Sequence, residues 1–307
     1  MEHKLETMII TYLKLRRLTV EGSRYTIKNP LTFFLKNNGL VKLSNGYKIP
    51  YNKGNKADII NIISFALLQG IRFGDGEGQW KLDPANGVIE THQGIKLSLE
   101  RAGLLDETFL YQIHFSGFNL KDKMVVTAGA YIGDTPLFYS KYGAKVYGFE
   151  PDPNSYHIAQ KNLDLNPELS KNIIIKNCAV GKDGEIEFPI NSKGSGSSSI
   201  YAIKNHKTIK VKSVSISTIL NDFNITDPYL LDLDIKGSEF DVIEDISVRR
   251  FQKVRIEYSP YLLNSVTKNL EYLIEKLKSY GYNKIRIFKH SVGRFDLSDH
   301  GTLEAEK

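Results

Sequence analysis

The stretch MVVTAGAYIGDTPLFYSKYGAKVYGFEPDPNSY, residues 124–156, passes from strand to glycine turn to helix to strand and closes on an acid. Met124–Ala128 is an apolar run of strand length, and Gly129 and Gly133 bracket a tight turn. Leu137, Phe138 and Tyr142 fall at helical spacing. Lys145–Phe149 is the second strand, with Glu150 at its C-terminal end. In such a βαβ unit a nucleotide lies across the glycine turn, at the carboxyl edge of a parallel sheet. A carboxylate about 20 residues beyond the first glycine can accept hydrogen bonds from both ribose hydroxyls. Glu150 stands 21 residues after Gly129.

The turn departs from the dinucleotide fingerprint. G-x-G-x-x-G needs a middle glycine so that backbone can approach a pyrophosphate. Here Tyr131 holds that place, and the spacing is Gly129-x-x-x-Gly133. Asp134 opens the helix, where a carboxylate suits the dipole but repels a pyrophosphate. The pocket therefore suits a nucleoside cofactor without phosphates. S-adenosylmethionine (SAM) fits this description: adenosine, a sulfonium cation and an amino-acid end.

Further segments join this one. The chain carries VVTAGAYIGDT over 125–135, GFEPDPNSY over 148–156, NCAVG over 177–181, LLDLDIKGSEFDVI over 230–243 and RIEYSP over 255–260. In order and spacing, from about 105 to 288, these resemble the FkbM methyltransferase family, with its segments like VVDVGANIGDT, FEP, AVG and LLKxDxEGxE. The resemblance implies a class I SAM-dependent methyltransferase fold, Rossmann-like, and usually O-methylation; it leaves the acceptor open.

Three departures stand out. Thr127 replaces the usual acid that in this fold helps hold the methionyl end of SAM. Tyr131 replaces a usual Asn. In the fourth-strand motif, Asp232 and Lys236 stand where the family has Lys and Glu. That swap keeps opposite signs four residues apart, and a swapped salt bridge between the two is the plain expectation. Altered substrate chemistry or reduced activity is the other.

The 307 residues suffice for one large or two smaller domains, and 41% hydrophobic with 25% charged residues is ordinary globular composition. No apolar run reaches the roughly 18–20 residues needed to span a bilayer. MEHKLETMIITYLKLRR interrupts its short apolar stretch with charges and is unlike a secretory signal. A single cysteine, Cys178, excludes an internal disulfide framework and a Cys-based zinc cluster; a buried structural thiol is expected. A cytoplasmic location follows as the simple expectation. The net charge of +6 is uneven. Residues 1–56 hold 11 Lys and Arg against three Asp and Glu, whereas residues 57–118 hold four against eight. The basic N-terminal lobe is either a solvated lysine-rich surface or a face for an anionic partner such as nucleic acid.

Residues 1–104 read as a small α+β lobe. They combine a helical pattern over 1–18, a hairpin across Asn45-Gly46 within 41–49, a helix over 58–69 and a strand–turn–strand over 87–100. Residues 105–307 read as the methyltransferase domain, alternating strands and helices around a mostly parallel sheet. Its strands are expected at 124–128, 145–149, 172–177, 229–234, 253–258 and 283–288, with a last short one near 294–297 closing an antiparallel hairpin, and its helices at 107–115, 134–142, 154–164, 238–246 and 267–280. Residues 185–214 form a hairpin insertion with a Gly/Ser-rich tip that closes over substrate or merely connects.

Methyl transfer from a sulfonium is an in-line displacement that requires alignment, proton removal and exclusion of water. Gly129, Ala130 and Gly133 are expected to form the cofactor turn and Glu150 to bind the ribose. Pro151 and Asp152 are expected to flank the adenine, with Asn177 reaching its amino group. Asp134 is expected to orient the methionyl end. Glu107 and Tyr111, in the family-like LLDETFLYQIHF, are expected to line the pocket. Asp234, at the end of the fourth strand, is the first candidate for general base or acceptor-orienting group. Glu239 and Glu257 converge on the same edge, and His206 is a weaker alternative base. No metal-ligand spacing stands out. The leading expectation is O-methylation of a hydroxyl on a sugar, glycolipid or related metabolite, with a small-molecule or glycan acceptor. An RNA or DNA methyltransferase using the basic lobe, and a non-catalytic nucleoside- or partner-binding protein, remain alternatives.

Overall fold

A computed structural model describes residues 27–57, 59, 62–63, 72–101, 105–109, 119–190, 207–260, 263, 265, 267–289 and 300–307. The chain divides into two compact units, residues 1–112 and 113–307. The expected helix over 1–18, the insertion tip, His206, Tyr111 and the expected strand over 294–297 lie outside the described residues, as does most of the helix expected over 58–69.

In the first unit, helix α1 (Pro30–Leu35) packs on strand β1 (Gly39–Lys42), which pairs antiparallel with β2 (Lys48–Tyr51) around the Asn-Gly turn. The hairpin buries Val41 and Ile49 and turns Leu40, Lys42, Lys48 and Pro50 outward, the alternation that a one-sided sheet demands. Lys56 closes α1: its ammonium donates to the carbonyls of Phe34 and Lys36 at 2.9 and 2.8 Å. A three-stranded antiparallel sheet follows, β3 (Lys81–Asp83), β4 (Val88–Glu90) and β5 (Lys96–Ser98), then helix α2 (Leu105–Phe109).

The second unit is built on seven strands. They are β6 (Met124–Ala128), β7 (Lys145–Phe149), β8 (Ile173–Lys176), β12 (Pro228–Leu233), β13 (Lys253–Tyr258), β14 (Lys284–Lys289) and β15 (Gly301–Glu306). Their order is β14-β15-β13-β12-β6-β7-β8, and only β15 runs against the rest. A sheet that starts at a central strand, steps outward to one side, returns, and slots one reversed strand into the far side is the class I methyltransferase arrangement. Between β8 and β12 a small sheet holds β9 (Ala179–Val180), β10 (Gly184–Ile190) and β11 (Lys207–Val214), so the expected hairpin forms.

Every residue of β12 is buried, because a central parallel strand is covered on both faces. One face carries the core: Val126, Ala128, Leu231, Leu233, Val254, Ile256 and Leu303 pack together there. Each buried Val, Leu or Ile among them contributes about 1.5–3 kcal/mol by leaving water. The opposite face is polar at one level. Register aligns Thr127, Asp232, Arg255, Glu304 and Arg286 as successive cross-strand neighbours. Helix α3 (Asp134–Lys141) lies on this side and sends Tyr139 to Asp232. Helix α4 (Pro153–Asp164) starts on Asp152, whose carboxylate accepts from Asn154 N at 3.0 Å and Ser155 Oγ at 3.1 Å, a side-chain cap reinforced by Pro153 at the first helical position. Cys178 is buried, and burial pushes its thiol up.

The sequence reading leaves β15 unassigned: its residues, GTLEAE, lack a long apolar run. Only Leu303 and Ala305 reach the core, while the alternate positions face the polar row. Helices α5 (Pro167–Ser170) and α6 (Ile216–Asp222), the latter capped by Ser215, are likewise unassigned in sequence. The helix expected over 238–246 shortens to α7 (Glu239–Val242) followed by a 3-10 turn. The one expected over 267–280 becomes α8 (Leu270–Ser279), starting on Asn269.

Candidate active site

The glycine turn after β6 is set by backbone geometry. Gly129 has φ +86°, and a Cβ there would collide with the carbonyl oxygen of Asp234. Asp234 N in turn donates to Ala128 O at 3.0 Å. The turn after β6 and the chain leaving β12 are therefore pressed together at the carboxyl edge of the sheet. Gly133 is also left-handed and serves as N-cap of α3. Between them Tyr131 adopts φ +46°, a conformation that Gly and Asn enter far more readily than an aromatic residue. Ala130 is fully buried.

Glu150 follows β7 directly, with its carboxylate turned back to this turn. Oε2 accepts from Tyr131 N and Oε1 from Asp152 N, both at 2.8 Å. These two bonds hold the carboxylate rigidly against the turn. Asn177 donates from Nδ2 to the carbonyls of Glu150 and Pro151 at 2.8 and 3.2 Å, which fixes the segment carrying Glu150. Asp152 uses both oxygens in the α4 cap. Asp134 opens α3 and is 7% exposed.

Thr127 and Asp232 explain two of the departures together. Thr127 Oγ1 donates to Asp232 Oδ2 at 3.2 Å, Tyr139 donates to the same oxygen at 2.9 Å, and Arg255 Nη1 donates to Oδ1 at 2.6 Å. Arg255 is completely buried. Burial disfavours its cation, but Asp232 outweighs this and holds the guanidinium above its ordinary range. The swapped bridge between Asp232 and Lys236 does not form. Asp232 belongs to the interior of the sheet, whereas Lys236, beyond the end of β12, turns to the carboxyl edge.

There Lys236 lies between two carboxylates, 2.9 Å from Asp234 Oδ1 and 2.5 Å from Glu257 Oε1. Burial works against its charge, yet Asp234 and Glu257 raise it above the ordinary lysine range. Burial likewise works against the Glu257 carboxylate, and Lys236 followed by Arg255 holds it below its usual value. The ammonium thus occupies the space between the acids. No group of His, Cys, Asp and Glu suited to a metal ion occurs among the described residues.

Asp234 and Glu257 share this cluster, and Glu239 adjoins it as a backbone clamp. Its oxygens accept from Gly237 N at 2.6 Å and Ser259 N at 2.8 Å, tying the turn after β12 to the end of β13. Glu239 is fully buried, and burial pushes it up to about 7. Glu107 lies on α2, in the first unit. Two members of the cluster escaped the sequence reading. Lys236 entered only as a departure from a motif, and His300, with Nε2 3.7 Å from Glu257 Oε1, gave no signal because residues distant in sequence bring it there.

The seven-strand order is that of the class I methyltransferase fold. The Methyltransferase FkbM domain model matches residues 128–284, just over half of the chain. The chain belongs to the FkbM methyltransferase domain family. Among solved structures it is similar to precorrin-6y C5,15-methyltransferase of Geobacter metallireducens GS-15, at 12% identity and a TM-score of 0.36, over 64% of this chain and 87% of that one. It is also similar to a human methyltransferase 10 domain containing protein, at 14% identity and 0.39, over 69% and 87%. A third is TrmK of M. capricolum in complex with S-adenosyl-homocysteine, at 11% identity and 0.40, over 64% and 67%. No curated protein matches the sequence significantly. No helix among the described residues is long and apolar enough to cross a membrane.

Proposed function

We propose that this chain transfers a methyl group from SAM to a hydroxyl of a sugar, glycolipid or related metabolite. The observation that carries the reading is the contact of Asp234 with the Gly129 turn, which puts the acidic cluster on the same rim as Glu150. The donor set fits the cofactor. Glu150 would take the ribose hydroxyls, Asn177 and Pro151 would shape the adenine wall, and Asp134 and the turn of Gly129, Ala130 and Gly133 would meet the methionyl end. Thr127 is occupied by Asp232 and leaves that end to Asp134. When bound, SAM supplies an activated methyl group. The chain itself orients the acceptor through Asp234, keeps Glu257 ionised through Lys236, and holds this edge rigid through Glu239.

The test is calorimetric titration of the full chain with SAM and with S-adenosylhomocysteine, and of Glu150→Ala. Saturable binding is expected, weakened by about tenfold or more in the variant, because a charged acceptor contributes roughly 1.5–3 kcal/mol. Binding of neither ligand would overturn the proposal. A nucleic-acid acceptor is the second reading, supported by Lys28, Lys36, Lys42, Lys48, Lys53 and Lys56 in a stretch, 27–56, without a single acid. It requires RNA or DNA binding that weakens steeply with salt.

A further inference from the structure

The outer face of the β1–β2 hairpin repeats one charge. Across it Leu40 pairs with Pro50 and Lys42 with Lys48. The chain before α1 extends this row, because Ile27 bridges Leu43 and Lys28 N donates to Lys42 O at 2.7 Å. Ile27, Val41, Leu43 and Ile49 are buried, so Lys28, Lys42 and Lys48 stand side by side on the opposite, exposed face. Like charges directly opposite one another destabilise a sheet. Among the described residues no carboxylate pairs with any of the three.

Apolar side chains adjoin the row. Asn29 clips the start of α1 to β1: its Nδ2 donates to Leu40 O, and Lys42 N donates to its Oδ1, both at 2.8 Å. Phe33 turns inward onto Tyr51. Leu31 and Leu35, one turn apart, are instead 72% and 73% exposed, the highest values for large hydrophobic residues among those described, and Leu40 is 45% exposed. Single exposed apolar side chains are ordinary. Three within ten residues, in a stretch, 27–56, with six lysines and no acid, make a face that is apolar and cationic together.

That combination selects its partner. Nucleic acid is met by arginine forks and by aromatic rings that stack on bases, but 27–56 contains no arginine, and its aromatic residues are buried or half-buried. A second copy of the chain would bring the same lysines and be repelled. An anionic bilayer offers both halves of the match: phosphate headgroups for the ammoniums, and the acyl boundary just beneath them for the leucines.

We propose that this face docks the chain on an anionic membrane surface, with Leu31, Leu35 and Leu40 at the boundary between headgroups and acyl chains and Lys28, Lys42 and Lys48 among the headgroup phosphates. The docking is peripheral. It goes beyond the methyl transfer proposed above and does not depend on it.

The deciding experiment is sedimentation of the full chain with vesicles of equal parts phosphatidylcholine and phosphatidylglycerol, and with vesicles of phosphatidylcholine alone. Binding to the mixed vesicles only is expected, and it should weaken as salt rises. Lys42→Gln with Lys48→Gln should weaken it about 10–30-fold, at roughly fivefold per lysine, and Leu31→Ser with Leu35→Ser by about tenfold or more. Both pairs of changes lie at the surface, so neither should lower the unfolding midpoint. A lowered midpoint in the leucine pair would mean that these side chains are packed within the fold, and it overturns the proposal. Absence of binding to the mixed vesicles overturns it too, as does binding that the leucine pair leaves at the wild-type level, since charge alone would then suffice. Tighter binding of duplex RNA, unmoved by the leucine changes, would assign the lysines to nucleic acid and overturn it, and so would a dimer in solution that the leucine pair dissolves. None of these measurements uses SAM or an acceptor, so failure here leaves the methyl-transfer reading standing.

Discussion

Thr127 and Asp232, 105 residues apart in sequence, are hydrogen-bonded neighbours on adjacent central strands. Both depart from the usual family residues, so two differences that look independent along the chain are one contact in space. Restoring only the usual acid, Thr127→Asp, would set two carboxylates against each other at buried positions. We expect a loss of about 3–5 kcal/mol, the order of an uncompensated buried charge, measured by denaturant unfolding. Adding Asp232→Lys should recover part of it. A single variant as stable as wild type would sever the link between the two positions.

The Asp232–Arg255 pair at 2.6 Å is sealed from solvent. Arg255→Met alone should cost about 3–5 kcal/mol, while the double change to Asp232→Leu and Arg255→Met should be far milder, because the apolar pair leaves no unpaired charge. A double-mutant cycle measures the coupling; strictly additive losses would contradict it.

Glu239 makes stability depend on pH. Its folded value, about 7, lies above the ordinary 4.5, so between these values the folded state binds more protons than the unfolded one. Stability from this group is therefore complete below about 4.5 and lost as pH rises through about 7. The full span is on the order of 3 kcal/mol. Unfolding midpoints at pH 5 and pH 8, compared between wild type and Glu239→Gln, should show the wild type losing more on going to pH 8.

Tyr131 sits in the left-handed region between two glycines. That conformation costs an ordinary residue roughly 1–2 kcal/mol. Tyr131→Asn, the usual family residue, should stabilise the chain by about 0.5–1 kcal/mol without loss of the Tyr131 N–H bond to Glu150. Stability unchanged or reduced would mean that the ring makes contacts worth as much as the strain.

Much of the frame was legible because it is local. The runs at 124–128 and 145–149 are apolar strands with a glycine turn between, and the structure places them at those residues. Glu150 could be singled out because spacing alone puts it at a strand end. β15 was not legible, because its alternation offers only Leu303 and Ala305 as apolar residues, too short a signal to stand out, while the alternate positions serve a buried polar row. Lys236 was visible as a departure but not as a bridge, since Glu257 comes from another strand 21 residues on. His300 depends on Gly301 meeting Tyr258, a packing relation without a sequence signature.

β14 pairs only with β15 in the seven-stranded sheet, and β15 is threaded between β13 and β14. While the polypeptide is being synthesised, β14 leaves the ribosome before the strand that must separate it from β13. Until then Arg255 lacks Glu304 as its cross-strand neighbour, and the nascent sheet presents an open, hydrogen-bonding margin. The newborn protein therefore has to be shielded, by its own collapse or by a chaperone, until residues 301–306 arrive to close it.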